Sequence, residues 1–197
     1  MSNSDPQYRS AVMDLRLAAD QVEQLVADLE AESVGDVVAN AKTNLLSMPS
    51  VSGTASQMKS LLRLNKLSKH TDKSVAEVVA RCNAIAGTHP DVILEDGTGP
   101  NEVKARALYT KARLLVSMIP AMNMFKRKNA YREAIAVFRE SLNACPNQQS
   151  YLAIGFCLGE LGDRQGAAGA YQSCIDLDDS SENALEAARR QRGLGLR

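Results

Sequence analysis

Apolar side chains in the first forty residues recur at a helical period. Tyr8, Leu15, Val22 and Leu29 fall seven apart, Ala11, Ala18 and Leu25 fall between them, and Val12, Ala19 and Val26 widen the stripe. Three apolar positions per heptad make a face broader than a two-stranded coiled-coil seam and suit a bundle or superhelix. The spacing predicts a helix over about 7–32, with self-association of copies through this stripe as one use for so wide a face. Gly35–Asp36 restarts a second helix carrying Val37, Val38, Ala41, Leu45 and Leu46, which Pro49 stops. Beyond the Ser-, Gly- and Pro-rich break "SMPSVSGTAS", a third helix is expected over about 56–68. A fourth follows Thr71–Asp72 and runs through Val75, Val78, Val79 and Cys82 to Gly87.

The stretch "GTHPDVILEDGTGPN" is the second break, with two prolines and three glycines. It divides the chain into an N-terminal helical region (1–87), a linker (88–100) and a C-terminal half (101–197). Val92–Leu94 is too short to found a sheet. From Asn101, read as an N-cap, the chain is helix and turn, so the expected fold class is all-α.

A pattern repeats within that C-terminal half. Ala134-x3-Phe138-x2-Ser141-x4-Pro146 recurs further on as Ala167-x3-Tyr171-x2-Cys174-x4-Asp179. It is also present upstream as Ala105-x3-Tyr109-x2-Ala112-x4-Ser117. The helix preceding the last copy contains Tyr151, Ile154, Gly155, Leu158 and Gly162, with further glycines at 159, 166 and 169. Each interior glycine costs a helix about 1 kcal/mol relative to alanine, so something must offset them. Small–aromatic–small–breaker, preceded by aromatic, apolar-Gly, large apolar and turn glycine, resembles the two helices of a tetratricopeptide (TPR) repeat. The resemblance covers about residues 101–197.

That likeness implies a superhelix of helical hairpins in which small residues sit where paired helices cross. Gly155 would lie opposite Ala167, and Gly162 would supply the turn conformation. Gly159, Gly166 and Gly169 fall outside the pattern and are assigned to close backbone contact. Ala105 stands closer in sequence to Ala134 than Ala134 does to Ala167, so a short helix with Pro120 in its first turn is expected between the first two copies. The segment "SSENALEAARRQRG", N-capped by Ser181, would be the single helix that closes such arrays. About two and a half repeats remain, fewer than a stable array needs, so the N-terminal helices are expected to complete the core.

TPR domains bind proteins or peptides along a concave face built from first helices. Carried over by position, that face would include Ile119, Asn123, Lys126, Arg127, Leu152, Ala153, Phe156 and Glu160. A clamp for a terminal carboxylate, used by the chaperone-tail binders of the family, is not expected. Asn123 matches one clamp position, but Ile119, Ala153, Ala184 and Ala188 occupy the others. The face is apolar at Leu152 and Phe156 and basic at "FKRK", which suits an amphipathic or acidic-apolar segment. The alternative is that the chain's own N-terminal helices cover Leu152 and Phe156.

Composition and charge narrow the function further. Cys82, Cys145, Cys157 and Cys174 form no CxxC pair and read as reduced thiols of a cytoplasmic protein. No signal peptide and no transmembrane span are expected. Residues 1–40 carry eight acidic and two basic side chains, 41–70 five basic and no acidic, and 101–140 nine basic and three acidic. Lys59, Arg63 and Lys66 form one helical stripe, but 41–70 lacks an aromatic for base stacking. A match to Asp20, Glu23 and Glu30, or simple solvation of the stripe, is therefore preferred over a nucleic-acid or membrane surface. His70 and His89 lack metal-site spacing, no nucleophile has a recognisable base partner, and "EDGTGPNEVK" lacks the GK[ST] of a phosphate loop. No catalytic residue, cofactor or metal is expected. The expected function is a non-catalytic adaptor, scaffold or assembly factor that binds a protein or peptide segment.

Overall fold

The computed structural model describes residues 5–31, 51–119, 122 and 124–195, with side chains in the second helix from residue 65 and in the fourth from residue 126. The described residues form seven helices and no strand: α1 (Pro6–Ala31), α2 (Val51–Thr88), α3 (Pro100–Met118), α4 (Met124–Ala144), α5 (Gln148–Leu161), α6 (Arg164–Leu177) and α7 (Glu182–Gly193). The protein is all-α, as its periodicity predicts. None of these helices is long and apolar enough to cross a membrane. The expected helix at 35–46 lies outside the described residues.

α1 follows its heptads closely. Ala11, Leu15, Ala18, Val22 and Leu25 are buried at alternating steps of four and three. On α2 the matching row is Thr71, Val75, Val78, Cys82 and Ile85. α1 packs on α2 and on α3, so this chain's own helices cover the wide stripe. Met13 and Leu17 are the large apolar side chains that α1 leaves exposed.

Two expected breaks are absent. The third and fourth predicted helices are one, α2, which also begins inside the stretch read as a break. From residue 54 to 86 there is no glycine or proline, and Thr71–Asp72 alone cannot end a helix whose buried row runs through it. Likewise no short helix separates residue 119 from the Ala134 pattern, because α4 runs unbroken from Met124 to Ala144. Residues 121–145 also lack glycine and proline. Pro120 itself lies outside the described residues.

The hairpin order follows from this. α3 and α4 pair, as do α5 and α6, and α7 closes against α6 and α5. α4 and α6 carry the repeated pattern, whereas Ala105, Tyr109 and Ala112 lie on α3, the partner of α4 rather than another copy of it. α4 starts at Met124, well ahead of Ala134, but α6 starts at Arg164, just ahead of Ala167. The α3–α4 hairpin is therefore about two turns longer.

Core residues run without interruption from α1 and α2 through α3 and α4 to Ile154 and Cys157 on α5. A second cluster joins Ala167, Tyr171 and Cys174 of α6 to Ala187 of α7. The 88–100 connection enters this core through fully buried Val92. Its amides are already occupied: Gly97 N–H donates to Leu94 O at 3.0 Å, Thr98 N–H to Asp96 at 2.9 Å and Gly99 N–H to Glu102 at 2.9 Å. Gly99 and Pro100 begin α3, so Asn101 is inside the helix and not its cap. Ser181 does cap α7, accepting from Ala184 N–H at 3.1 Å.

Candidate interaction surface

The α5 sequence QQSYLAIGFCLGEL is apolar almost all round, so α5 has more apolar surface than one partner helix can cover. Asn147 starts it by accepting from Ser150 N–H at 2.9 Å, and Gly162, at φ +85°, ends it. Gly162 therefore supplies the left-handed turn expected of it. Ser150, Ile154, Gly155 and Cys157 turn inward. A Cβ on Gly155 would run into the Tyr171 ring, so this glycine does allow a close helix crossing, against Tyr171. Gly159 and Gly169 face open space, and close contact does not account for them. Gly166 sits beneath the Asp163 carboxylate that caps its amide at 2.9 Å.

Leu152, Ala153 and Phe156 on the outward side of α5 are half-buried, and Glu160 is exposed. Phe156 lies between two neighbours from other helices. Tyr131 of α4 meets its ring edge-on at a centroid distance of 6.3 Å, and the Arg190 guanidinium of α7 lies 5.5 Å from its centroid. Glu186 holds Arg190 there through a 2.6 Å hydrogen bond. The Tyr131 hydroxyl donates to Glu160 at 3.4 Å. Burial, then the Glu160 carboxylate, pushes this phenol up to about 12, so at neutral pH it remains a donor. Among the described residues, the ring contacts of Phe156 thus come from α4 and α7.

The structure divides the other face residues. Ile119 is 1% exposed and belongs to the core, so it cannot meet a partner. Asn123 lies outside the described residues. Lys126 and Arg127 are exposed on the first turn of α4, not on a separate first helix, and Arg127 donates to Met122 O at 3.0 Å. The basic start of α4 and the apolar row of α5 are linked through Tyr131. Sequence spacing missed both Tyr131 and Arg190. An aromatic one turn after "FKRK" and an arginine in the closing helix were the only signals for them. Beside this face, Glu102, Arg106 and Tyr109 of α3 and Gln149 of α5 line a shallow cleft of about 180 Å³.

The repeat residues are structural. Ala105, Ala112, Ala134, Phe138, Ile154, Gly155, Ala167 and Tyr171 are buried, Tyr109, Tyr151 and Leu158 are half-buried, and exposed Pro146 follows the end of α4. Ser141 and Ser150, both fully buried, join three helices: Ser141 donates to Ala105 O at 2.7 Å and accepts from Ser150 at 3.1 Å. Gln148 donates to Cys174 O and Asp178 O and accepts from Ser181, tying α5 to α6 and α7.

Other charge pairs join the N-terminal helices to α3. Glu23 of α1 meets Arg106 of α3 at 3.9 Å, and Asp72 of α2 meets Lys111 of α3 at 2.9 Å. The side chains of Lys59 and Arg63 lie outside the described residues, and Lys66 is exposed. All four cysteines are free; Cys82, Cys157 and Cys174 are buried. Burial pushes Cys82 up to about 11 and Cys157 to about 12, which keeps both as inert thiols. Among the described residues no group of His, Cys, Asp and Glu is placed to hold a metal.

No protein-family model, no curated protein and no solved structure matches this chain.

Proposed function

We propose that the protein is a non-catalytic adaptor that binds a partner segment along the outward face of α5, within a short TPR-like stack of helical hairpins. Contact of the odd-numbered helices α1, α3, α5 and α7 in series supports that arrangement, because stacked hairpins bring their first helices together. The observation that carries the function is Phe156. It stands half-buried between Tyr131 and Arg190, in a row with Leu152 and Ala153. An aromatic ring flanked by a guanidinium and a phenol provides an apolar anchor and polar groups that orient a peptide. Arg190 and the basic start of α4 favour an acidic-apolar segment over a basic one.

The test is affinity capture from the native cell's lysate with the full-length chain, its Phe156→Glu variant and a Met13→Glu control, with folding of each checked by circular dichroism. A partner kept by the wild type and the control but lost with Phe156→Glu would support the reading. A partner indifferent to Phe156 would overturn it.

A further inference from the structure

The basic residues of 101–140 do not all face the same way. On α4, Lys128, Arg132, Ile135 and Arg139 follow the spacing i, i+4, i+7, i+11 and make one row about 16 Å long. This row lines a cleft of about 400 Å³ whose other wall is Leu158 and Leu161 at the end of α5 and Asp163 in the following turn. At helical pitch, Leu158 and Leu161 project well away from Phe156. The cleft is separate from the face proposed above, and its assignment does not rest on that reading.

Its charges are not neutralised from within the described residues. Lys128, Arg132 and Arg139 are exposed and take part in none of the ion pairs there. Among the described residues, the one polar contact of the row is Arg132 donating to Asn129 at 3.2 Å. The helix's own carboxylates, Glu133 and Glu140, fall on a different side of α4, since neither stands three, four or seven positions from any member of the row. Asp163 is the single acid in the cleft, and its carboxylate accepts from Gly166 N–H at the start of α6. Between the cations the floor is aliphatic: Ile135 is buried, and Leu158 and Leu161 are half-buried.

We propose that this cleft docks an acidic amphipathic helix of a partner protein. The partner's apolar row would lie on Ile135, Leu158 and Leu161, and its flanking carboxylates would meet Lys128, Arg132 and Arg139. Three cations in one row, spaced at helical periods around an apolar floor, complement a helix with carboxylates beside an apolar stripe. Nucleic acid fits less well, because among the described residues no aromatic ring lines the cleft for a base to stack on.

The test uses the full-length chain and a fluorescein-labelled peptide of about 18 residues, long enough to form a helix when bound. Leucines occupy one helical face, glutamates flank them, and glutamine and alanine fill the rest. A matched peptide has lysine in place of glutamate. Anisotropy titration should show saturable binding of the glutamate peptide, weakening as salt rises, and none of the lysine peptide. Arg132→Glu with Arg139→Glu should raise Kd by about tenfold or more, while Phe156→Glu leaves it unchanged. Both arginines are exposed, and retained helicity by circular dichroism confirms folding of the variant. Absence of binding at low salt, or indifference to the charge reversals, would overturn the proposal. So would loss of binding with Phe156→Glu alone, or tighter binding of oligouridine or phosphatidylserine vesicles at this row.

Discussion

The α3–α4 and α5–α6 hairpins carry the same pattern on their second helices and use it differently. In the first, Phe138 packs against another aromatic, Tyr109, at a ring-centroid distance of 5.7 Å. In the second, Tyr171 packs against a glycine, Gly155. A small–aromatic–small pattern therefore marks one side of a close crossing and leaves the other side open. The longer hairpin accommodates two rings, whereas the shorter one removes a side chain and lets the backbones approach. The difference extends outward. Outside the pattern, α4 also carries Tyr131, which meets Phe156, and the cationic row beside the end of α5, of which Lys128 lies in its added turns.

The largest effect that would break this comparison is loss of the aromatic partner itself. Phe138→Ala should destabilise the protein by about 3–5 kcal/mol, since Phe138 is 1% exposed in the main core. Chemical denaturation would measure it, and a cost below about 1 kcal/mol would mean the first hairpin does not depend on its ring pair. Gly155→Leu comes next, at about 1–3 kcal/mol or more, because an added side chain overpacks a crossing already filled by Tyr171. An unchanged melting temperature would refute the close-crossing account.

Smaller changes sharpen the contrast. Ser141→Ala removes the hydroxyl that joins α3, α4 and α5 and leaves Ser150 short of a buried partner, at about 1–2 kcal/mol. In the opposite direction, Gly169→Ala should stabilise by about 0.5–1 kcal/mol, because it is an exposed helix position with open space around it. Destabilisation there would reveal a contact that the second hairpin needs. A modest pH effect separates the cysteines. Folded Cys157 holds its proton up to about 12, by burial first and Glu160 second, whereas an unfolded thiol ionises near 9.0. Its contribution to folding is complete below the unfolded value and is lost as pH rises from there towards the folded one. Replacing Cys157 with alanine should therefore make the alkaline fall in denaturation midpoint shallower than in wild type. Cys145→Ser, at a half-buried site, should change that fall less.

Several elements could be read from local pattern. The heptad stripe of α1 is the buried row observed, Gly162 is the left-handed turn, and Ser181 caps the last helix. Each is decided by neighbours within a turn or two, where periodicity and capping chemistry act directly. The breaks expected at 71 and between a short helix at 120 and the Ala134 pattern are misread by the same means, because neither 54–86 nor 121–145 holds a true breaker. The glycines separate the same way: Gly162 is explained by its own turn, but only the packed helices distinguish Gly155 from Gly159.

The candidate surface was less legible still. The resemblance to a TPR repeat implied a face with Leu152, Ala153, Phe156 and Glu160, and these residues are half-buried or exposed. It could not show that Ile119 turns into the core, or that Tyr131 and Arg190 flank Phe156 from helices far from it in sequence. By itself the sequence determined an all-helical chain, the faces of its amphipathic helices and the chemistry of their ends, because these depend on helical periodicity and local hydrogen bonding. Tertiary packing alone decided which helices pair, which glycine is filled and which cations share a cleft, because those outcomes depend on side chains that are distant in sequence and meet only when the helices stack.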